Sequence, residues 1–314
     1  MIITVTTNPS IDRTLSIDDF KPGGVIRAQL VRLDAAGKGV NVSRALAAYG
    51  VQTHALMVGA SLGNEWFSQQ LDAQGIPHTI VMADGVTRSN ITLVESDGNV
   101  TKINEPGIEM TPDVHDKVLR ALDALPLEGN TVVFAGRLNP GASDDTYREF
   151  CNHAKKLGAR VVLDASGTAL AKAITADGPD LIKPNQFELS GLVGRELVTI
   201  DDAIVAAREV MAMGVGAVLC SLGKDGAIFV TDENVVHVEA KTKIQGTPVG
   251  AGDILLATFL AGGADENALA GAVQWSAASV ALPGTAIPTP AQAAAIEVLV
   301  HHDVDVKRPL SEAA

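Results

Sequence analysis

Residues 131–163 read TVVFAGRLNPGASDDTYREFCNHAKKLGARVVL, and this stretch decides the fold class. It begins and ends in short runs of β-branched and apolar residues, Thr131–Phe134 and Arg160–Leu163. Neither run alternates with polar residues, as expected of strands covered on both faces. Between them, Tyr147, Phe150, Cys151, Ala154 and Leu157 recur at helical spacing over Asp144–Leu157, and Gly158 supplies a stop. Strand, helix, strand without a hairpin turn is a βαβ unit, and it implies parallel strands.

The same alternation extends in both directions. Further strands are expected at Ile2–Thr6, Ala55–Val58, Asp180–Ile182, Gly216–Cys220 and Ala227–Val230, and further helices at Asp201–Met213 and Glu266–Leu282. The expected core is a mostly parallel sheet flanked by helices. Two stretches interrupt it. Leu15–Leu33 and Thr87–Ile103 show period-two alternation, the second with a turn at Asp97-Gly98-Asn99, and read as antiparallel ribbons. Together they suggest a small β lid projecting from the main sheet. The segment after about His301 reads as polar and peripheral, with His301-His302 solvated.

Composition narrows the function. The chain has 314 residues, 46% apolar and only 4% aromatic, so the core rests on aliphatic side chains. A net charge of −13 shows no basic face for nucleic acid, and no nucleic-acid partner is expected. Any phosphorylated ligand must then be gripped by a few local cations. Cys151 and Cys220 fit no metal spacing and read as buried thiols. The first residues do not form a signal peptide, and no apolar run reaches the roughly 18 residues of a membrane span. These features point to a cytoplasmic protein with no membrane partner.

The chemistry concentrates at Thr247-Pro248-Val249-Gly250-Ala251-Gly252-Asp253, which opens the helical run Ile254–Leu260. Gly250, Ala251 and Gly252 let backbone N–H groups approach an anion at the positive end of a helix, and Asp253 can take a proton from an attacking hydroxyl. Asp253 also fits a plain N-cap. Four other elements accompany it: Asn8–Asp12 after the first strand; Gly37–Leu46, a glycine-rich helix entry; Lys183–Leu189; and Ser221–Gly226. Asn185 and Glu188 share a helical face and also suit a capping box. Ser221–Gly226 also suits an ordinary turn. No G-x-x-x-x-G-K-[ST] and no G-x-G-x-x-G after the first strand occurs.

On these five elements, in this order, the chain resembles the ribokinase-like sugar kinases of the phosphofructokinase B family. The two family signatures correspond to residues 37–50 and 247–260. The resemblance implies one three-layer ribokinase-like α/β domain over residues 1–314, with a lid formed by about 12–35 and 85–107. It implies ATP as phosphoryl donor with Mg²⁺, a sugar phosphate as acceptor, and a homodimer through the lid. Asp253 becomes the general base, with Gly250, Ala251 and Gly252 as the anion cradle. Asp12 and Asn41 bind sugar hydroxyls, Gly37 lets the backbone approach, and Lys38, Arg27, Arg88 and Arg137 grip the existing phosphate. Lys183, Ser221, Gly223, Gly226 and Gly284 fall on the ATP side. Asn185 and Glu188 stand near Mg²⁺, acting through water molecules.

The phrases Thr6–Asp12, Thr87–Asn90, Thr101–Gly107 and Lys183–Asn185 are similar to the branch that phosphorylates fructose 1-phosphate at its 6-hydroxyl. Tagatose-6-phosphate and fructose-6-phosphate kinases of the same family, and a catalytically silent sugar-phosphate sensor, remain alternatives. The chain departs from the family pattern at Thr247, Ile254 and Thr258, which bears on a monovalent-cation site. It also departs at Gly136-Arg137-Leu138-Asn139-Pro140-Gly141, where Arg137 replaces a small Ser in a loop on the substrate side.

Overall fold

The computed structural model describes residues 1–311. Ten strands form the main sheet. In chain order they are β1 (Ile2–Thr6), β4 (Thr53–Leu62), β5 (His78–Val86), β8 (Thr131–Ala135), β9 (Arg160–Asp164), β10 (Leu181–Ile182), β11 (Val218–Ser221), β12 (Ala227–Val230), β13 (Val235–Ala240) and β14 (Val298–His301). Across the sheet the order is β14-β13-β12-β11-β10-β9-β8-β1-β4-β5. From β11 to β5 every pair is parallel, and β12, β13 and β14 add an antiparallel edge.

Both faces are covered, as the continuous apolar strands require. Val132 and Phe134 of β8 point into one core with Val161 and Leu163 of β9. Their neighbours Val133, Ala135 and Val162 point into the other. The first core is closed by α3 (Pro112–Asp123), α4 (Thr146–Lys156), α5 (Gly167–Ala173), α6 (Gln186–Val193) and α7 (Ile200–Ala212). The second is closed by α1 (Lys38–Tyr49), α8 (Ala251–Ala261), α9 (Ala268–Val280) and α10 (Pro290–Ala294). Helix α2 (Asn64–Asp72) covers the β4–β5 end, burying Phe67 and Leu71. Helix α8 is buried on nearly all sides, which explains its unbroken apolar run. This is the three-layer α/β architecture expected.

The second sheet has four strands, ordered β3-β2-β6-β7: β2 (Ser10–Ile17), β3 (Leu30–Ala36), β6 (Arg88–Glu95) and β7 (Val100–Asn104). Each expected ribbon is an antiparallel pair, and parallel pairing of β2 with β6 joins them. Residues 18–29, read as part of the first ribbon, lie outside the strands. The sheet has two unlike faces. Asp12, Asp34, Asn90 and Asn104 are in register on one, with Thr14, Arg32, Thr92 and Lys102 beside them; the other carries Leu15, Val31, Leu33, Ile91, Leu93 and Ile103.

The segment after His301 lies at the surface, as expected, but it is tied to the fold. The amides of Ile200 and Asp201 donate to the carbonyls of Arg308 and Val306, and the Leu310 amide donates to Val198. His301 is not simply solvated either, since it stacks on His237 and its Nε2 lies 3.1 Å from Glu239. Cys151 and Cys220 are buried and free. Among the described residues no helix is long and apolar enough to cross a membrane.

Candidate active site

The five sequence elements gather at the carboxyl ends of the parallel strands, where an open α/β sheet presents its crevice. Helix α8 starts from Gly250, which holds φ +78°, a left-handed conformation suited to glycine. The Gly250 carbonyl accepts from the amides of Asp253 and Ile254, and the Ala251 amide donates to Pro248. Ala251 is therefore already committed and does not offer its N–H to an anion, contrary to the sequence expectation. The Gly250 and Gly252 amides have no partner among the described residues. A Cβ on Gly252 would sit 3.4 Å from the Lys183 ammonium nitrogen, which places that cation directly beside the cradle.

Asp253 does not cap its own helix. Its Oδ2 accepts from Asn41 Nδ2 at 2.8 Å, across 212 residues of sequence. The carboxyl is only 7% exposed. Burial pushes its pKa up to about 6, Asp164 adds to the rise, and Lys38, Asn41 and Lys183 oppose it. Asn41 Oδ1 is buried without a partner, an acceptor left for a hydroxyl donor.

The residue that organises this cluster is Asp164, which the sequence reading missed. It terminates β9, is fully buried, and bridges two cations: Lys38 Nζ at 2.7 Å and Lys183 Nζ at 3.2 Å. Burial alone would raise its pKa, but the two ammonium groups outweigh that and hold it low. Burial would likewise strip the proton from Lys38, yet Asp164, Asp253 and Glu188 together hold it on more tightly than usual. Lys38 thus stands among the acids of the cluster, with its ammonium committed to Asp164. The one available signal for Asp164 was its place: an acid directly after a buried strand, on the ligand side of the sheet.

Asn185 and Glu188 form the capping box that their spacing also suited. Asn185 accepts from the Glu188 amide at 2.8 Å, and Glu188 Oε2 accepts from the Asn185 amide at 2.9 Å. The other Glu188 oxygen has no hydrogen-bond partner among the described residues. The Ser221 amide donates to Pro184, so the loop after β11 lies against the start of α6. That loop turns at Gly223 (φ +59°) and Gly226 (φ +81°). A Cβ on Gly226 would strike the Val238 carbonyl, so this glycine has a packing reason of its own.

On the sugar side, Asp12 Oδ1 accepts from Ser10 Oγ at 2.8 Å and Asn90 Nδ2 at 3.0 Å. Asn90 was quoted in the sequence only as part of a phrase and proves to be Asp12's anchor. Burial raises the Asp12 pKa. Gly37 holds φ +120°, and a Cβ there would meet Thr6 and Pro9. Arg88 is braced by the carbonyls of Asn8 and Pro9. Asn8 also reaches the Leu138 carbonyl, linking Arg88 to the loop that carries Arg137. Burial lowers the Arg88 pKa; Asp12 opposes that and Arg137's charge adds to it. Arg137 itself is exposed. Arg27 is not brought to this cluster: it is exposed in the segment between β2 and β3 and makes no hydrogen bond or ion pair with other described residues. Gly284 lies near Arg32 and Asp34 of β3, and Arg44 reaches Thr285 at 3.2 Å, holding this loop over α1.

An uncapped helix start with a buried acid and paired lysines, on this three-layer frame, is suited to phosphoryl transfer. Residues 5–292 match the model of the pfkB family carbohydrate kinases, and the chain belongs to that family. It is 37% identical to a 1-phosphofructokinase of Xanthomonas campestris over 269 residues, 84% of each chain. It is 38% identical to a 1-phosphofructokinase of Rhodobacter capsulatus, over 82% of each. Among solved structures, phosphofructokinase-2 from Escherichia coli in complex with potassium superposes with a TM-score of 0.88 at 30% identity, covering 93% of this chain and 96% of that one. The chain is an ATP-dependent sugar kinase.

Proposed function

We propose that this protein transfers the γ-phosphoryl group of ATP to the 6-hydroxyl of fructose 1-phosphate, giving fructose 1,6-bisphosphate and ADP. The observation that carries the chemistry is Asp253, oriented by Asn41 beside two amides, Gly250 and Gly252, that have no other partner. The similarity to curated 1-phosphofructokinases supports the choice of acceptor.

In this reading Asp253 accepts the 6-hydroxyl proton as that oxygen bonds to the γ-phosphorus. The bond from phosphorus to the bridging oxygen breaks, and its electron pair leaves with ADP. The Gly250 and Gly252 amides stabilise the charge spreading over the transferred group, with Lys38 and Lys183 beside it. Asp12 and Asn41 hold sugar hydroxyls. Arg88 and Arg137 take the 1-phosphate, a role suited to the guanidinium fork. Lys183, Ser221, Gly223, Gly226 and Gly284 line the nucleotide side.

The residues present fit Mg²⁺ bound chiefly by phosphate and water. No group of three His, Cys, Asp or Glu that could hold a metal occurs among the described residues. The free Glu188 oxygen is the protein's best ligand, whereas the Asn185 oxygen is engaged in the helix cap. When bound, the ion neutralises charge on the donor phosphates. A cytoplasmic setting, where ATP is abundant, suits this reaction.

The four-stranded sheet serves as the lid, its polar face toward the sugar. Its apolar face leaves Val31 (52%), Leu33 (43%) and Ile103 (49%) exposed, and a second copy of the chain is the occupant we propose. Leu33→Glu is expected to yield monomer in sedimentation; an unchanged mass would exclude this face. The acceptor is tested by a panel of phosphorylated ketohexoses with Mg·ATP, scored by product mass. Fructose 1-phosphate should give the highest kcat/KM. Preference for fructose 6-phosphate or tagatose 6-phosphate would replace the assignment, and no ADP release with any sugar would mark a silent sensor.

A further inference from the structure

We infer that the segment after β14 is a strap that positions the nucleotide-side loop, with Arg308 and Ser311 acting through Asp225. The inference rests on the reading that Ser221–Gly226 lies under ATP. That loop turns through positive-φ glycines at both Gly223 and Gly226, so its side-chain anchorage falls to the residues between them. Asp225 lies between them, yet it is only 4% exposed and fully engaged. Its carboxylate accepts from the Ser311 amide at 2.6 Å, Ser311 Oγ at 3.2 Å and Arg308 Nη2 at 3.2 Å. Its carbonyl accepts from His237 Nε2 at 2.7 Å.

Arg308 does not depend on Asp225 for its place. Its guanidinium forks onto Glu239 of β13 at 2.5 and 2.6 Å, and its carbonyl accepts from the Ile200 amide. The segment is thus fixed to β13 and to the start of α7, and from that footing it holds the loop. Charge-assisted and bidentate bonds of this kind add geometric definition to the group they hold. Neither Arg308 nor Ser311 belongs to the five elements of the site, so the predicted effect is confined to nucleotide affinity.

The test uses Arg308→Ala and Ser311→Pro in the full chain; the second deletes both Ser311 donors, its N–H and its hydroxyl, and carries the test if the first does not fold. Each should raise KM for ATP, by about fivefold or more for Arg308→Ala. Both kcat at saturating ATP and KM for the sugar phosphate should stay near wild type. Amide hydrogen exchange at residues 222–226 should quicken, and Arg308→Lys, a charge without the fork, should fall between. Wild-type KM for ATP and wild-type exchange in a folded variant would overturn the strap, as would equal changes in both KM values. A wild-type protein that phosphorylates no sugar would instead sink the reading of the site, while the exchange result would still report on the strap.

Discussion

Two helix starts border the same cluster and are finished in opposite ways. At α6, Asn185 and Glu188 satisfy each other's amides in a closed capping box. At α8, no side chain caps the helix, and the acid in its first turn is turned away to Asn41. A closed start stabilises its own helix. An open start leaves N–H donors free for a ligand, in the proposed reading an anion. The contrast sets a start that holds the fold against one left open for the proposed chemistry, although both helix starts pair a polar side chain with an acid.

The sharpest way to break this contrast is Asp253→Asn. The amide preserves shape and still meets Asn41, but it cannot take a proton. The expected loss in kcat is about 10²–10⁴-fold with fold and substrate affinity retained. Wild-type turnover would show that the acid at α8 is as structural as the pair at α6. Next in size is Gly250→Ala. The left-handed φ of +78° resists a Cβ, which would also press on Thr285 at 3.4 Å. Displacing one cradle amide is expected to lower kcat by about tenfold or more. An unchanged kcat with unchanged stability would mean that the open amides carry no charge in the transition state.

Much of this division was legible in the sequence, for definite reasons. Strands such as Thr131–Ala135 are buried on both faces, so their apolar runs are continuous. Strands toward the two ends of the sheet escaped: His78–Val86, Val235–Ala240 and Val298–His301 were not foreseen. Local backbone demands were also readable, since glycines at 37, 226 and 250 hold conformations or approaches that a side chain would spoil. What sequence could not convey was convergence. Asp164 meets Lys38 across 126 residues, and only the tertiary fold brings the end of β9 to the start of α1. Lys38 was expected at the sugar phosphate, and Arg27 beside it; the fold commits one to Asp164 and leaves the other in an exposed segment.

Asp164 also offers a way to sharpen the contrast by pH. Asp253 must be ionised to act as base, so kcat/KM should fall as pH drops through about 6. In Asp164→Asn a neighbouring negative charge disappears, and Lys38 and Lys183 lose their shared partner. Both changes favour the ionised form of Asp253. The acid limb of the profile should therefore move to lower pH, by about one unit on the scale of a lost close charge. The plateau should fall as well, because the lysines are no longer held. A limb that stays in place would mean that another group, not Asp253, titrates there.

The smallest effect is expected at α6, and it tests the closed side of the comparison. Asn185→Ala removes the acceptor for the Glu188 amide and opens the box, which should cost about 1 kcal/mol in a denaturant titration. If Asn185 serves only as a cap, kcat and the Mg²⁺ concentration for half-maximal rate should barely change. Glu188→Gln makes the complementary change. The Gln oxygen can still accept from the Asn185 amide, so stability should hold, while the lost charge raises the Mg²⁺ requirement. Should the two variants behave alike, with stability and Mg²⁺ dependence moving together in both, the α6 start would be neither purely structural nor separable from the chemistry at α8.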